Sequence, residues 1–122
     1  MIVEIRTKLY EILSNIHPRV WYEVAPDNSE FPYLTHVFEN SDYDGANTEL
    51  FTLFVDGWDD NVDTTTLENL MDSVNNILEK SINVINDDLS FRVVLDRRLN
   101  ITDPDVRIRR RRYEYQIRAM RK

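Results

Sequence analysis

An α+β domain, with two helices packed on one mainly antiparallel sheet of about five strands in the order α-β-β-β-α-β-β, is the fold this sequence predicts. Three observations predict it. Long stretches with apolar residues at three- and four-residue spacing occur twice, near 2–16 and near 64–82. Shorter stretches rich in β-branched and aromatic residues occur near 20–25, 33–39, 49–57, 89–97 and 112–120. The chain has 122 residues, a single domain's length, so 1–122 is expected to fold around one hydrophobic core.

Each element has its own justification. In "MIVEIRTKLYEILSNIHP", Ile2, Ile5, Leu9, Ile12, Leu13 and Ile16 form one apolar stripe, and Pro18 stops the helix near Asn15 to His17. "RVWYEVA" reads as a short strand and "PDNSEFP" as a turn-rich loop. "YLTHVFE" and "LFTLFVDGW" read as a hairpin across the polar segment 40–48, a long connection of about eight residues that is expected to be mobile in a free subunit. "LFTLFV" is apolar on both faces, with Leu50 and Phe54 on one and Phe51, Leu53 and Val55 on the other. It is therefore expected to be a central strand, or one whose second face a partner covers. The second helix has the stripe Leu67, Leu70, Met71, Val74, Ile77, Leu78 and Ile82, and Thr65 with Glu68 fits a capping box at its start. "DLSFRVVLDRR" alternates Leu89, Phe91, Val93 and Leu95 inward, and "NITDPD" reads as a turn. In the closing strand Tyr113, Tyr115, Ile117 and Ala119 point inward; Val106 and Ile108 have the opposite parity, so a bulge near Arg109 to Arg112 is expected.

Composition narrows the chemistry. There is no cysteine, which excludes a disulfide scaffold, a zinc–thiolate site and thiol catalysis. No run of about 18 apolar residues appears, so no membrane contact of that kind is expected. With glycine only at positions 45 and 57, a glycine-rich phosphate cradle is excluded. His17 and His36 lie in no metal or nucleophile motif. "DGWDDNVD" clusters Asp56, Asp59, Asp60 and Asp63, but the spacing is not that of a calcium loop, and a solvated strand-to-helix turn accounts for it. No catalytic residue, metal or cofactor is expected.

Charge is the most uneven feature. Residues 107–122 hold eight Lys or Arg and one acid, a charge of +7; the rest of the chain holds seven against twenty-one, or −14. The run "RIRRRRYEY" suits phosphate contact and base stacking, so a small nucleic-acid-binding module using this arginine-rich end is one alternative. Against it, Tyr113 and Tyr115 share the parity of the core positions, and the acidic body repels a polyanion.

Several local patterns resemble the tail completion, or tail terminator, family of long-tailed phages. They are the leading helix with "LYEILSN", the segment "RVWYEVAPDNSEFPYL", the passage from "LFTLFVDGWDDN" straight into "LENLMDSVNNILE", and the closing "RRYEYQIRAM". The resemblance spans almost the whole chain. It implies a non-enzymatic subunit that assembles into a ring, commonly a hexamer, at the head–tail junction of the virion. Such a ring meets the tail tube protein on one side and the head connector or stopper protein on the other, while DNA only passes through it. A ring of identical copies needs two different patches that fit each other. On that basis Arg109, Arg110, Arg111 and Arg112 are expected to meet acids of a neighbouring copy: Asp56, Asp59, Asp60 and Asp63, or Asp42 and Asp44. Reversing Arg110 and Arg112 to Glu is then expected to spare the fold and abolish capping.

Overall fold

Both helices form where the apolar stripes place them, and both pack on the same face of a single sheet. The computed structural model describes residues 1–43, 45, 47–79 and 82–122. Helix α1 spans Ile2–Ile16, strand β1 Val20–Tyr22, β2 Tyr33–Tyr43, β3 Thr48–Asp59, helix α2 Thr65–Leu78, β4 Asn83–Val84, β5 Leu89–Thr102 and β6 Arg109–Arg121. Ile5, Leu9 and Leu13 from α1 and Leu67, Met71, Val74 and Leu78 from α2 are fully buried against Phe51, Leu53, Val55, Phe91, Val93, Tyr115, Ile117 and Ala119 of the sheet. Each such aliphatic side chain stabilises the fold by about 1.5–3 kcal/mol relative to exposure. The buried Tyr115 hydroxyl donates to Asn75 Oδ1 at 3.0 Å, which satisfies the one polar atom that this ring brings into the core.

The sheet has six strands rather than five, in the order β1-β2-β3-β6-β5-β4. It is mixed, because β1 pairs with β2 in parallel while every other pair is antiparallel. The added strand, β4, is only Asn83–Val84, too short to carry a periodic signal. Strand β3 lies between β2 and β6, the central position that its two apolar faces predict. Gly57 on β3 permits the close approach of α2: a Cβ there would lie 2.6 Å from Met71 Sδ and 2.9 Å from Leu67 Cδ1.

The structure corrects several expectations. The second helix ends at Leu78, not at residue 82, and Ile2, Ile77 and Ile82 of the apolar stripes are exposed. There is no capping box. Thr65 is already the first helical residue, and Asp63 Oδ1 takes its amide at 3.0 Å and its hydroxyl at 2.6 Å, while Glu68 pairs with Arg111. The hairpin connection is shorter than expected because pairing carries β2 on to Tyr43 and resumes β3 at Thr48. Of the residues between them, Asp44 and Ala46 lie outside the described residues. Asn100 to Thr102, read as a turn, belong to β5. The bulge is not near Arg109 to Arg112, where β6 pairs without interruption on both sides. The register shifts fall instead between Phe38 and Asn40 on β2 and between Leu95 and Arg97 on β5.

Candidate interaction surface

The helices cover one face of the sheet, and the opposite face collects the residues of highest chemical interest. Strand alternation places Phe54, Asp56 and Trp58 of β3 on that face, and the β3–β6 register sets Asp56 opposite Arg112 and Trp58 opposite Arg110. Arg112 donates from Nε to Asp56 Oδ1 at 2.9 Å and from Nη2 to Oδ2 at 3.1 Å. Arg110 reaches diagonally, its Nε 3.0 Å from Asp56 Oδ2. The guanidinium of Arg110 lies 4.2 Å from the ring centroid of Trp58, and that of Arg112 lies 4.3 Å from that of Phe54. Each arginine is thus held by a carboxylate at its edge and an aromatic ring at its face, a geometry that a planar guanidinium accepts and an ammonium does not. The hydrogen bonds and charge of Asp56 push the Arg112 pKa further up, so its charge is fixed. Tyr33 stacks on Trp58 with centroids 5.8 Å apart, and Trp58 Nε1 donates to Thr35 Oγ1 at 3.1 Å. Trp21 meets Tyr33 edge-on at 5.7 Å and extends the aromatic layer to β1.

The remaining sequence-predicted residues do not join this cluster. Arg111 points to the helix face and pairs with Glu68 of α2. Arg109 donates to the Val106 carbonyl at 2.7 Å. Asp59 is buried and accepts the Asp60 amide at 2.8 Å, whereas Asp60 is exposed. Asp63 is held below the usual carboxylate range by its hydrogen bonds from Thr65. Asp42 is exposed and accepts from Asn40 Nδ2 at 3.1 Å; Asp44 lies outside the described residues. The expected meeting of arginines with acids therefore occurs in part inside one chain, with Asp56 as the shared acceptor. Among the described residues no three potential metal ligands come together.

At the Tyr33 end of the sheet the loop after β5 shapes an open depression of about 430 Å³ beside Phe31, Asp60 and Val62. Asp105 in that loop accepts two bonds from the Arg107 guanidinium, at 3.0 and 2.8 Å, and one from the Arg107 amide at 3.0 Å, which together lower its carboxyl to about 2. His17 and Arg19 both donate to the Pro32 carbonyl, at 2.8 and 3.0 Å, which ties the end of α1 to the start of β2.

Two features were missed in the sequence. The first is the arginine-on-aromatic layer. Its signal was present as matching parity, Phe54-Asp56-Trp58 against Arg110-Arg112, and only the strand register was needed to bring them together. The second is His36, buried at 1% exposure between Tyr22 and Tyr10, whose ring centroids lie 5.1 and 6.4 Å away. Neither ring nitrogen has a well-formed hydrogen bond, and burial pushes its pKa down to about 4.

No family model matches this sequence, and no curated protein matches it. The fold does have solved counterparts. A chain from the virion of a native gene transfer agent (GTA) particle superposes with a TM-score of 0.70 over 92% of this chain and 91% of that chain, at 15% sequence identity. The two share a fold over nearly their full lengths.

Proposed function

We propose that this protein is a non-enzymatic structural component of a phage virion that closes the tail tube as a ring, of six copies in the resemblance that suggests it, and joins the tail to the head connector. The observation that carries this reading is the full-length likeness to a virion chain at a TM-score of 0.70, which agrees with the resemblance of "RVWYEVAPDNSEFPYL" and "RRYEYQIRAM" to the tail completion family. In this reading the sheet's helix-free face and the acids Asp42, Asp44, Asp60 and Asp63 meet other copies or the tail tube, with Arg109 supplying a cation at the partner surface, while the buried Asp59 stays within the subunit. The acidic body suits a ring through which DNA slides without sticking. The nucleic-acid alternative loses support from the geometry: Arg110 and Arg112 share Asp56 and lie on aromatic rings, and Arg111 is paired with Glu68. Fewer cations of the run are left for phosphates than its composition suggests.

Negative-stain imaging of the purified protein mixed with tail tubes tests the proposal. Rings seated on tube ends are expected, together with no salt-dependent DNA binding. Bare tube ends, or DNA affinity that falls steeply with salt, would favour the alternative.

A further inference from the structure

The two lateral edges of the sheet are stepped, and the steps are complementary. On one side β1 covers only Leu34 to His36 of β2, so Val37 to Tyr43 have no neighbouring strand beyond them among the described residues. On the other side β4 covers only Ser90 and Phe91 of β5, so Arg92 to Thr102 are likewise open. Following the register across the sheet, β1 lies level with Arg98 to Asn100 of β5, and β4 lies level with the Tyr43 end of β2. Each protruding short strand therefore sits opposite a recess of its own width, with five strands at either level.

We infer that successive copies of this chain join edge to edge through these steps, β1 of one copy entering the recess beside β5 of the next and β4 lying against β2. The inference rests on the ring reading above and names the surface that makes the ring. Strand direction agrees with it. β1 runs with β2, and β2, β3, β6 and β5 alternate, so β1 and β5 of like-oriented neighbours run antiparallel.

Backbone groups face the right way. Leu89 turns its carbonyl outward to accept the Ile85 amide at 2.9 Å, and the outward Leu95 amide donates to Glu79 at 3.3 Å. The bulge at Asp96 resets the alternation, so Arg98 and Asn100 direct their amides outward. On β1 the Arg19 carbonyl and Glu23 amide bond inward to β2, which leaves Val20 and Tyr22 directed outward. On β4, Val84 is outward because Ile85 bonds inward.

The side chains at the two steps also match. Arg97 and Arg98, both exposed, flank the β5 recess, and exposed Glu23 follows β1. At the other step Val84 is 65% exposed and Tyr43 is 81% exposed, an apolar pair at one level. The bulges and edge charges that discourage indiscriminate strand pairing leave this one contact available. Because the two edges differ, the contact is heterologous: it builds a ring when the rotation between copies closes, and not a twofold dimer.

Proline at Val84 or at Asn100 removes an outward amide that the described fold does not use, and edge strands tolerate proline there. Rings assembled on tail tubes are counted for the wild type, Val84→Pro and Asn100→Pro, with circular dichroism melts of each monomer. Amide exchange is measured on wild-type monomer and ring. Expected are near-wild-type melts, at least a tenfold loss of rings in each variant, and at least a hundredfold slowing of exchange at Val84 and Asn100 on assembly. Rings at wild-type yield in the variants, or unchanged exchange at both amides, overturn the edge joint while leaving the capping reading intact. If a variant unfolds, the wild-type exchange result decides alone. Failure of the wild type to form rings at all overturns both.

Discussion

His36 carries the clearest residue-scale consequence. Its imidazole is buried among Tyr10, Tyr22 and the aliphatic core, with Arg6 adding repulsion of any further positive charge. Its pKa is about 4 in the folded chain and near 6.5 when unfolded, so the group is folded neutral. Between those values the unfolded chain binds a proton that the folded chain does not. Stability contributed by the neutral ring is therefore complete above about pH 6.5 and is lost as pH falls toward about 4, by roughly 3 kcal/mol in total. Carboxylates titrate over part of the same range, so the test is a difference. Urea unfolding at pH 7.5 and pH 4.5 is expected to show a steeper loss for the wild type than for His36→Phe, which keeps a planar aromatic ring at the site and cannot be protonated. Equal losses would place the acid sensitivity elsewhere in the chain.

At the scale of elements, the contact of α2 with β3 depends on Gly57. A methyl group there meets Met71 Sδ and Leu67 Cδ1 well inside van der Waals distance. Both are side-chain atoms that can move a little within a dense core, so Gly57→Ala is expected to cost about 1–3 kcal/mol without changing the fold. The urea midpoint measures it, and a midpoint at or above the wild-type value would show that α2 has slack. Much of this level was legible in the sequence. The middle of each helix stripe, the inward set Leu89-Phe91-Val93-Leu95 and the inward set Tyr113-Tyr115-Ile117-Ala119 are local periodicities that lie where they were expected, whereas Ile2, Ile77 and Ile82 at the stripe ends are exposed. Strand ends were not legible, because Asn40 to Asp42, Asn100 and Thr102 are polar and become strand only through a partner strand beside them. The bulge expected near Arg109 to Arg112 is absent because Val106 and Ile108, whose parity suggested it, precede β6 and need not follow its alternation. The site was half legible: the arginines and the acids stood out, but which acid meets which arginine is a matter of register between β3 and β6.

At the scale of the whole molecule, an acidic body ends on a basic strand, −14 against +7, and the question is how much of that asymmetry is available to a partner. Arg110 and Arg112 are not the test that their sequence suggests. Their shared acceptor Asp56 is 4% exposed, so replacing both arginines by Glu would gather three carboxylates and strand a buried one. That variant is expected to lose about 3 kcal/mol of stability, and any failure to cap tails would then report unfolding rather than a lost contact. Arg109 is the cleaner probe. Its guanidinium donates to the Val106 carbonyl, and no carboxylate among the described residues pairs with it. Arg109→Glu is expected to change stability by no more than about 0.5 kcal/mol, since it breaks no ion pair in the described fold. If its charge meets the acidic face of another copy or of the tail tube, the same variant reduces the fraction of capped tails severalfold. Wild-type capping should also weaken as salt rises from about 0.1 M to about 1 M, where the Debye length shrinks from ~10 Å to ~3 Å. The two readouts must agree, because one charge reversed and all charges screened act on the same interaction. Capping that survives both would make the basic strand a solvated edge whose arginines serve only the fold, through Asp56, Glu68 and the rings of Trp58 and Phe54.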